Sequence, residues 1–366
     1  MIQSITELME KDLRGKKVLL RIDFNVPVEH GKVSEMYKIR SAKETLDYLK
    51  SHGAVIALLS HITSIESFES IYNQIKEILG HHFIFLPDCI GSRVYDSIKN
   101  ARSGDIFLLE NVRKHSGEEK NDLEFSQELA KPFDMYINDA FSESHRNYAS
   151  ITSITKFLPS YAGPGLIKEL ENLEKVMQLP KEKKTLIIGG AKAEIKFPVV
   201  ENFLDKSSHI LVGGVVANIF LKASGVDIGE SVTDDNFLLK AKHLLLNKQI
   251  VMPEDFTKEN DMILDIGLKT AEKFSEIIKN STLVIWSGPL GKTEVPELSL
   301  GSKKIAEAIA SSSAFSVIGG GDTIAFIEKI NLINKFNYVS IGGGAMLEFL
   351  AGNTLPGIKV LGYYGS

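Results

Sequence analysis

Short apolar segments rich in Val, Ile, Leu and Phe alternate with longer amphipathic segments along this whole sequence. Such alternation is typical of strands that are connected through helices into parallel sheets. We therefore predict an α/β fold. A chain of 366 residues exceeds what one hydrophobic core usually contains, so we expect two domains, each with its own sheet. The predicted strands cover residues 18–25, 54–61, 83–88, 106–113 and 135–139 in the first half, and 185–190, 210–214, 283–288, 316–321 and 338–344 in the second.

The boundary between the domains is predicted near the middle of the chain. The segment LPSYAGPGL (158–166) has the Pro/Gly composition of a linker, and an amphipathic helical pattern follows it. We therefore predict a first lobe over 1–165, a helix over 166–180 and a second lobe over 181–348.

The composition limits which binding partners and which cellular compartment we expect for this chain. Lys and Arg number 42 against 47 Asp and Glu, and a net charge of −5 disfavours nucleic acid as the main partner. The single cysteine, Cys89, excludes an intrachain disulfide and fits a reducing, cytoplasmic compartment. We assign it no chemistry and expect it to be buried. Neither a signal peptide nor an apolar run long enough to cross a bilayer is present, so no membrane partner is expected.

The predicted strands of the second half end in glycine, which is typical of turns that bind phosphate through backbone N–H groups. GGAKAEIK (189–196) adds Lys192 and Lys196, which would share one face of a helix start. GGGDT (319–323) adds Asp322, a candidate ligand of a magnesium ion that bridges phosphates. The alternatives are a solvated helix face for the lysines and a helix cap for Asp322.

Two nucleotide motifs can be discarded. SGPLGKT (287–293) resembles a P-loop, but Trp286 stands where that motif requires glycine. No segment carries the complete GxGxxG fingerprint with an acidic residue about 20 positions further on, so an NAD-dependent oxidoreductase is unsupported.

The predicted strands of the first half end in polar residues instead. Parallel sheets bind ligands at the carboxyl ends of their strands, so these residues would meet at one edge. A small substrate that carries phosphate and carboxylate would suit such a set. For an arginine the alternative is a surface ion pair, and Asp23 could pair with Arg21 or cap a turn. The residues are Asp23, Asn25, His61, Arg113, His145 and Arg146.

Seven blocks of this sequence resemble the phosphoglycerate kinase family, in the family's order and approximate spacing. The resemblance implies two Rossmann-like lobes, each a parallel sheet flanked by helices, with a hinge helix between them and a C-terminal segment (349–366) that returns to the first lobe. It implies reversible phosphoryl transfer from 1,3-bisphosphoglycerate to Mg-ADP, which gives 3-phosphoglycerate and Mg-ATP, by a monomer that closes on both substrates. The blocks cover 21–27, 108–122, 138–150, 189–196, 286–294, 317–323 and 339–350.

The resemblance also implies roles for individual residues. Those that would catalyse transfer are Lys38, Lys196 and Gly321. Those that would bind phosphoglycerate are Asp23, Phe24, Asn25, Lys38, His61, Arg113 and Arg146. Those that would bind ADP or ATP are Lys192, Lys196, Gly213, Gly214, Gly267, Gly288, Glu294, Gly319, Gly320, Gly321, Asp322 and Thr323, with Asp322 as the magnesium ligand.

Several positions depart from the family pattern, and they lie at the implied sites. Lys38 and Ser64 stand at positions where the family has arginine. Lys38 keeps the positive charge but lacks the paired donors of a guanidinium, and Ser64 has no charge. Three interpretations remain open: a working but divergent kinase, which we favour, a kinase with another acceptor, and a weakened homologue retained for nucleotide binding. The other departures are Val215, Ser287, Lys292, Thr293 and Ile341.

Overall fold

A computed structural model describes residues 2–8 and 10–364 of the chain. These residues form two compact units. The first contains the chain up to Leu170 and again from Thr354, and the second contains Glu171–Asn353.

The first unit is built on a parallel sheet. In its described part, six strands lie in the order β5-β6-β4-β1-β7-β8, and every neighbouring pair is parallel. A short antiparallel pair, β2 and β3, lies outside this sheet. The strands are β1 (Lys17–Arg21), β2 (Val28–Glu29), β3 (Lys32–Val33), β4 (Val55–Leu59), β5 (Ile84–Leu86), β6 (Ile106–Leu109), β7 (Met135–Asn138) and β8 (Ser160–Ala162).

Both faces of this sheet are covered, because side chains that alternate along each strand enter two separate cores. In β1, Val18 and Leu20 belong to one hydrophobic cluster and Leu19 to the other. Burial on both faces explains why the strands read as continuous apolar runs. The helices of this unit are α1 (Glu10–Leu13), α2 (Met36–Ser41), α3 (Lys43–Ser51), α4 (Tyr72–Leu79), α5 (Ser92–Lys99), α6 (Ser116–Glu119) and α7 (Leu123–Ala130).

The segment predicted as a linker contains a strand. β8 pairs with β7 and completes the first sheet, although it has only three residues and Pro and Gly flank it. The helix that follows, α8 (Pro164–Gln178), begins with proline, which lacks the N–H that a first turn leaves unpaired. Asp139 accepts a hydrogen bond from Leu166 N (2.8 Å) and so holds this first turn. The division between the two units falls inside α8.

The second unit repeats the architecture. Six strands of its described part form a parallel sheet in the order β11-β10-β9-β14-β15-β16, and β12 and β13 form an antiparallel hairpin. The α/β prediction is therefore confirmed for both units. The strands are β9 (Lys184–Ile188), β10 (His209–Val212), β11 (Ile250–Val251), β12 (Phe256–Glu259), β13 (Met262–Ile266), β14 (Leu283–Ser287), β15 (Phe315–Gly319) and β16 (Tyr338–Ser340).

The described helices of the second unit are α9 (Ala193–Phe203), α10 (Gly214–Ala223), α11 (Leu238–Leu244), α12 (Leu268–Lys279), α13 (Leu300–Ser311), α14 (Gly321–Lys329) and α15 (Gly343–Leu350). Of these, α9, α10, α14 and α15 each follow a strand of the parallel sheet directly, so they begin at its carboxyl edge. After them, α16 (Pro356–Lys359) belongs to the first unit, where Gly357 N donates to Ser144 O (2.8 Å). No helix of the described chain is both long and apolar enough to cross a membrane.

Candidate functional site

The candidate anion site of the first unit lies beyond the carboxyl ends of three adjacent strands. Because β4, β1 and β7 are parallel neighbours, the residues that follow them meet at one edge. The predicted residues Asp23 and Asn25 follow β1, and His61 follows β4. Ser60 Oγ accepts a hydrogen bond from Phe24 N (2.8 Å), which joins the two strand ends.

The buried Asp23 and the partly exposed Lys38 form an ion pair at this edge. Lys38 Nζ lies 2.7 Å from Asp23 Oδ2 and donates to Asn25 O (2.9 Å). Asp23 also accepts from Asn25 N (2.9 Å) and from the Ser142 hydroxyl. Burial opposes ionisation of Asp23, but the Lys38 ammonium and these donors outweigh it, so the pKa of Asp23 lies well below its usual value. Asp23 therefore pairs with Lys38 and not with Arg21.

His61 is fully buried and neutral. Arg21 Nη2 lies 3.2 Å from His61 Nδ1, and a guanidinium can only donate, so Nδ1 accepts and Nε2 carries the proton. Burial and then the Arg21 charge lower the pKa of His61 to about 2. Arg21 is itself buried and donates to Ser150 Oγ (3.1 Å) and to Ile22 O. The imidazole can therefore donate a hydrogen bond to a ligand but adds no charge.

Arg113 is held between two carboxylates. Its Nη2 donates to Glu143 Oε2 (3.2 Å), its Nε lies 3.5 Å from Glu119 Oε1, and its guanidinium lies 5.6 Å from the centre of the Tyr148 ring. Glu143 Oε1 is 3.6 Å from His61 Nε2. Sequence reasoning missed Glu143, because a carboxylate in the short turn Phe141–Glu143 has no distinctive spacing in the sequence.

The remaining predicted residues of this unit lie in different settings. The Phe24 ring is fully buried and packs edge-on against Phe68, so only its main chain can face a ligand. Arg146 is exposed, and its backbone N–H donates to Glu143 O (2.9 Å). Ser64, at the family's arginine position, donates to Val26 O (2.8 Å).

In the second unit, glycines let three strand ends approach one another closely. Gly288 has φ +88°, and a Cβ there would lie against Gly189 O. Gly214 has φ +55°, and a Cβ there would lie 2.8 Å from Gly190 N. Any side chain at these positions would separate the turns, so the carboxyl edge of this sheet is lined by main chain.

Lys196 places a buried ammonium at this edge. Its Nζ donates to Ser287 Oγ (2.9 Å) at the end of β14. Burial lowers the pKa of Lys196 to about 8, while nearby Asp322 opposes and Lys192 reinforces that shift. Lys192 lies just before α9 and is exposed. The two lysines therefore do not share a solvated helix face, because α9 begins after Lys192 and turns Lys196 inward.

The GGGDT turn begins α14 at the same edge. Gly319 ends β15, Gly320 is the N-cap and Gly321 opens the helix. Thr323 is buried, and its hydroxyl accepts from Gly288 N (2.9 Å), which ties this turn to the one after β14. Asp322 is exposed in the first turn and does not cap the helix. The helix N-terminus here is suited to a phosphate.

A small apolar pocket lies beside α10. Gly214 and Asn218 of α10, Phe256, Ile266 and Leu290 are among the residues that line it. Asn218 is 3% exposed and donates through Nδ2 to Val232 O (3.0 Å), while its Oδ1 has no hydrogen-bond partner among the described residues. A buried acceptor without a partner is costly, so Asn218 Oδ1 suits a donor from a water molecule or a ligand.

The other predicted adenosine residues lie on nearby elements. Gly213 is the N-cap of α10 and Gly267 that of α12, where Gly267 N donates to Asp255 O (2.8 Å). Glu294 is exposed after β14, and its carbonyl accepts from Lys329 Nζ (3.3 Å).

A preformed metal cage is not found in the part of the chain that the structure describes, where no group of three or more His, Cys, Asp or Glu side chains could hold a metal ion. Magnesium is usually bound by one or two carboxylates together with substrate phosphates. Asp322, exposed in the first turn of α14, fits that arrangement.

Comparisons with known proteins agree with this geometry. The family model for phosphoglycerate kinase matches residues 8–353. A phosphoglycerate kinase of Borreliella burgdorferi (strain ZS7) is 40% identical, with 95% of this chain and 96% of that protein covered, and one of Dictyoglomus turgidum is 37% identical, with 98% of each covered. The crystal structure of phosphoglycerate kinase from Pyrococcus horikoshii OT3 superposes with a TM-score of 0.90 at 30% identity, covering 98% of each chain.

The fold and the two sheet edges fit an α/β phosphotransferase with a side-chain-rich candidate anion site and a glycine-lined candidate phosphate site. The chain belongs to the phosphoglycerate kinase family, and so it is a glycolytic phosphotransferase with a carboxyl group as acceptor. The resemblance expected from the seven sequence blocks is confirmed. Membership of this family also favours catalysis over the alternative of a weakened nucleotide-binding homologue.

Proposed function

We propose that this protein transfers a phosphoryl group reversibly between the acyl phosphate of 1,3-bisphosphoglycerate and Mg-ADP, giving 3-phosphoglycerate and Mg-ATP. The observation that carries this proposal is the Lys196 ammonium, which is buried at a sheet edge otherwise lined by glycine main chain and by helix N-termini. A cation in such a setting is suited to the charge that develops on a migrating phosphoryl group.

Phosphoglycerate binds to the first unit in this proposal. Lys38 and the guanidinium groups of Arg113 and Arg146 neutralise its phosphate and carboxylate, and His61 donates from Nε2. Asp23 holds the Lys38 ammonium in place through their 2.7 Å ion pair. A lysine supplies charge but not the paired donors of an arginine, so alignment here depends more on the neighbours of Lys38.

Mg-ADP or Mg-ATP binds to the second unit. The adenosine lies against Gly213, Gly214 and Gly267, with Glu294 at the ribose, and Asn218 Oδ1 accepts a hydrogen bond from it. The phosphates lie against the turns after β14 and β15, and Asp322 contributes to binding of the magnesium ion. The phosphate-binding residues are Lys192, Lys196, Gly288, Gly319, Gly320, Gly321 and Thr323.

In the transfer step, a β-phosphate oxygen of ADP attacks the phosphorus of the acyl phosphate. The bond between that phosphorus and the acyl oxygen breaks, and the electron pair leaves with the carboxylate of 3-phosphoglycerate. The protein needs no covalent chemistry for this step. Lys38, Lys196 and the Gly321 N–H stabilise charge on the phosphoryl oxygens, and alignment of the substrates contributes the rest.

Transfer also requires that the two bound substrates meet, so we propose that the units close when both are bound, with α8 as the hinge. Small-angle scattering should show compaction with 3-phosphoglycerate and a nonhydrolysable ATP analogue together, but not with either alone. We further propose a cytoplasmic monomer, which fractionation of cells and light scattering would test.

A coupled assay of ADP formation tests the main proposal. We expect turnover that requires ATP, magnesium and 3-phosphoglycerate together. If turnover is absent but ADP still raises the melting temperature, the protein binds nucleotide without catalysis, since a ligand that prefers the folded state stabilises it. Turnover with another carboxylic acid in place of 3-phosphoglycerate would instead identify a changed acceptor.

A further inference from the structure

Glu143 places a carboxylate inside the site where the proposed function requires an anion to bind. It ends the short 3-10 turn Phe141–Glu143, and only 8% of its surface is exposed. Its two oxygens face the two groups that the proposed function assigns to the substrate. Oε2 accepts from Arg113 Nη2 (3.2 Å), and Oε1 lies 3.6 Å from His61 Nε2.

His61 Nε2 supports this interpretation. It is buried, carries a proton, and has no hydrogen-bond partner among the described residues, because 3.6 Å exceeds the reach of a hydrogen bond to Glu143. A buried N–H without a partner is costly, so this donor favours a ligand that supplies an acceptor. The Glu143 carboxylate therefore lies beside the position that a substrate oxygen would take.

The charges around Glu143 come from several elements of the first unit. Arg21 and Asp23 face it from the end of β1, Lys38 from α2, and Arg113 from the turn after β6. Burial, the largest influence, raises the pKa of Glu143, and the cations oppose that rise. The carboxylate thus shares its cations with the proposed substrate site.

Arg113 has two further contacts besides the one with Glu143. Glu119 Oε1 lies 3.5 Å from its Nε, and the Tyr148 ring lies under its guanidinium at 5.6 Å. Without the Glu143 charge, the guanidinium would keep these contacts and would be more attractive to an anion.

We propose that Glu143 is a specificity-determining residue that occupies Arg113 as an internal anion, so that the phosphate or carboxylate of the substrate must displace it. The inference rests on the proposed function, in which Arg113 and His61 contact phosphoglycerate. Its consequence is a weakened affinity for that strongly anionic substrate, set by one carboxylate.

The test compares Glu143→Gln with Glu119→Gln. The two side chains contact the same guanidinium, but Glu143 is buried and Glu119 is exposed, and exposed ion pairs contribute little. We expect Glu143→Gln to lower KM for 3-phosphoglycerate by about tenfold, the order expected for removing one like charge at contact distance. KM for Mg-ATP should stay within about twofold, as should KM for 3-phosphoglycerate in Glu119→Gln.

A second experiment measures binding of inorganic phosphate and does not depend on turnover. Inorganic phosphate should raise the melting temperature of Glu143→Gln at about tenfold lower concentration than that of the wild type. If the wild type shows no phosphoglycerate-dependent turnover, the proposed function fails, and the phosphate titration still decides the role of Glu143. Should Gln prevent folding, Glu143→Ala removes the same charge.

Weaker or unaltered binding of 3-phosphoglycerate and phosphate by a folded Glu143 variant would overturn the inference, because Glu143 would then only position Arg113. Equal gains in Glu143→Gln and Glu119→Gln would also overturn it, since general electrostatics would then explain both.

Discussion

The carboxyl edge of the first sheet is crowded with charged side chains, whereas that of the second sheet is formed mainly by main chain. In the first, Asp23, Lys38, Arg113 and Glu143 compensate one another's charges. In the second, the buried Lys196 ammonium lies among glycine turns and helix starts. In the proposed function, one edge therefore recognises its ligand by exchanging ion pairs, and the other by fixed N–H groups that need no rearrangement.

The largest effect is expected at Lys196, whose ammonium is buried at the second edge. Lys196→Ala should lower kcat on the order of 10²- to 10³-fold, because a charge that acts mainly in the transition state contributes little to ground-state binding. The dissociation constant of ADP should change by less than about fivefold. Lys192→Ala, which removes the exposed lysine, is the control and should cost about tenfold or less in kcat. Equal losses in kcat and in ADP affinity for Lys196→Ala would contradict this role.

The second prediction concerns the main chain of the same edge. Gly288→Ala should destabilise the second unit by about 3 kcal/mol, because it adds a contact with Gly189 O to the cost of a left-handed residue. Gly225→Ala is the matched control, since φ there is +89° but no atom lies within 4 Å of the added Cβ. It should cost about 1 kcal/mol. Urea unfolding followed by fluorescence of Trp286, the one tryptophan of the sequence, measures both.

The third prediction is a pH dependence that only the second edge should produce. The pKa of Lys196 is about 8, so its ammonium is lost as the pH rises above that value. We expect kcat/KM for Mg-ATP, which reports the free enzyme, to fall tenfold per pH unit above about 8. Lys196→Arg should remove this alkaline limb because arginine stays protonated. A limb that persists in the Arg variant would assign the titration to another group.

The smallest effect is expected at the first edge. Lys38→Arg should raise kcat/KM for 3-phosphoglycerate by about two- to fivefold, because a guanidinium can keep the Asp23 pair and add a second donor prong. Arg40→Lys is the control, because it exchanges the same two residue types in reverse at an exposed position of the same helix. A lower value for Lys38→Arg would indicate that Asp23 and Asn25 have adapted to the compact ammonium.

Much of the fold could be predicted because burial on both faces makes each strand a continuous apolar run. The ten predicted strands all occur, as β1, β4, β5, β6, β7, β9, β10, β14, β15 and β16. Six strands of the described residues were missed, and four of them form two antiparallel hairpins outside the parallel sheets, β2 with β3 and β12 with β13. β8 has three residues inside a Pro/Gly segment and β11 has two, and both are edge strands whose pairing depends on a neighbour distant in sequence.

The candidate sites were predictable to a lesser extent. Residues directly at strand ends, such as Asp23 and His61, could be placed because the carboxyl ends of parallel strands share an edge. Glu143 and Asn218 were missed, because a carboxylate in a 3-10 turn and an amide within a helix have no distinctive spacing.

The sequence by itself determined the order of strands and helices, the glycine turns and the family, because these follow from local pattern and from blocks of adjacent residues. Only the tertiary structure decided which charges pair. Lys38 and Asp23 are distant in sequence but in contact, Lys196 is buried while Lys192 is exposed, and Glu143 faces Arg113. Ion pairing and pKa depend on burial and on distances of a few ångströms between elements, and no linear pattern records these.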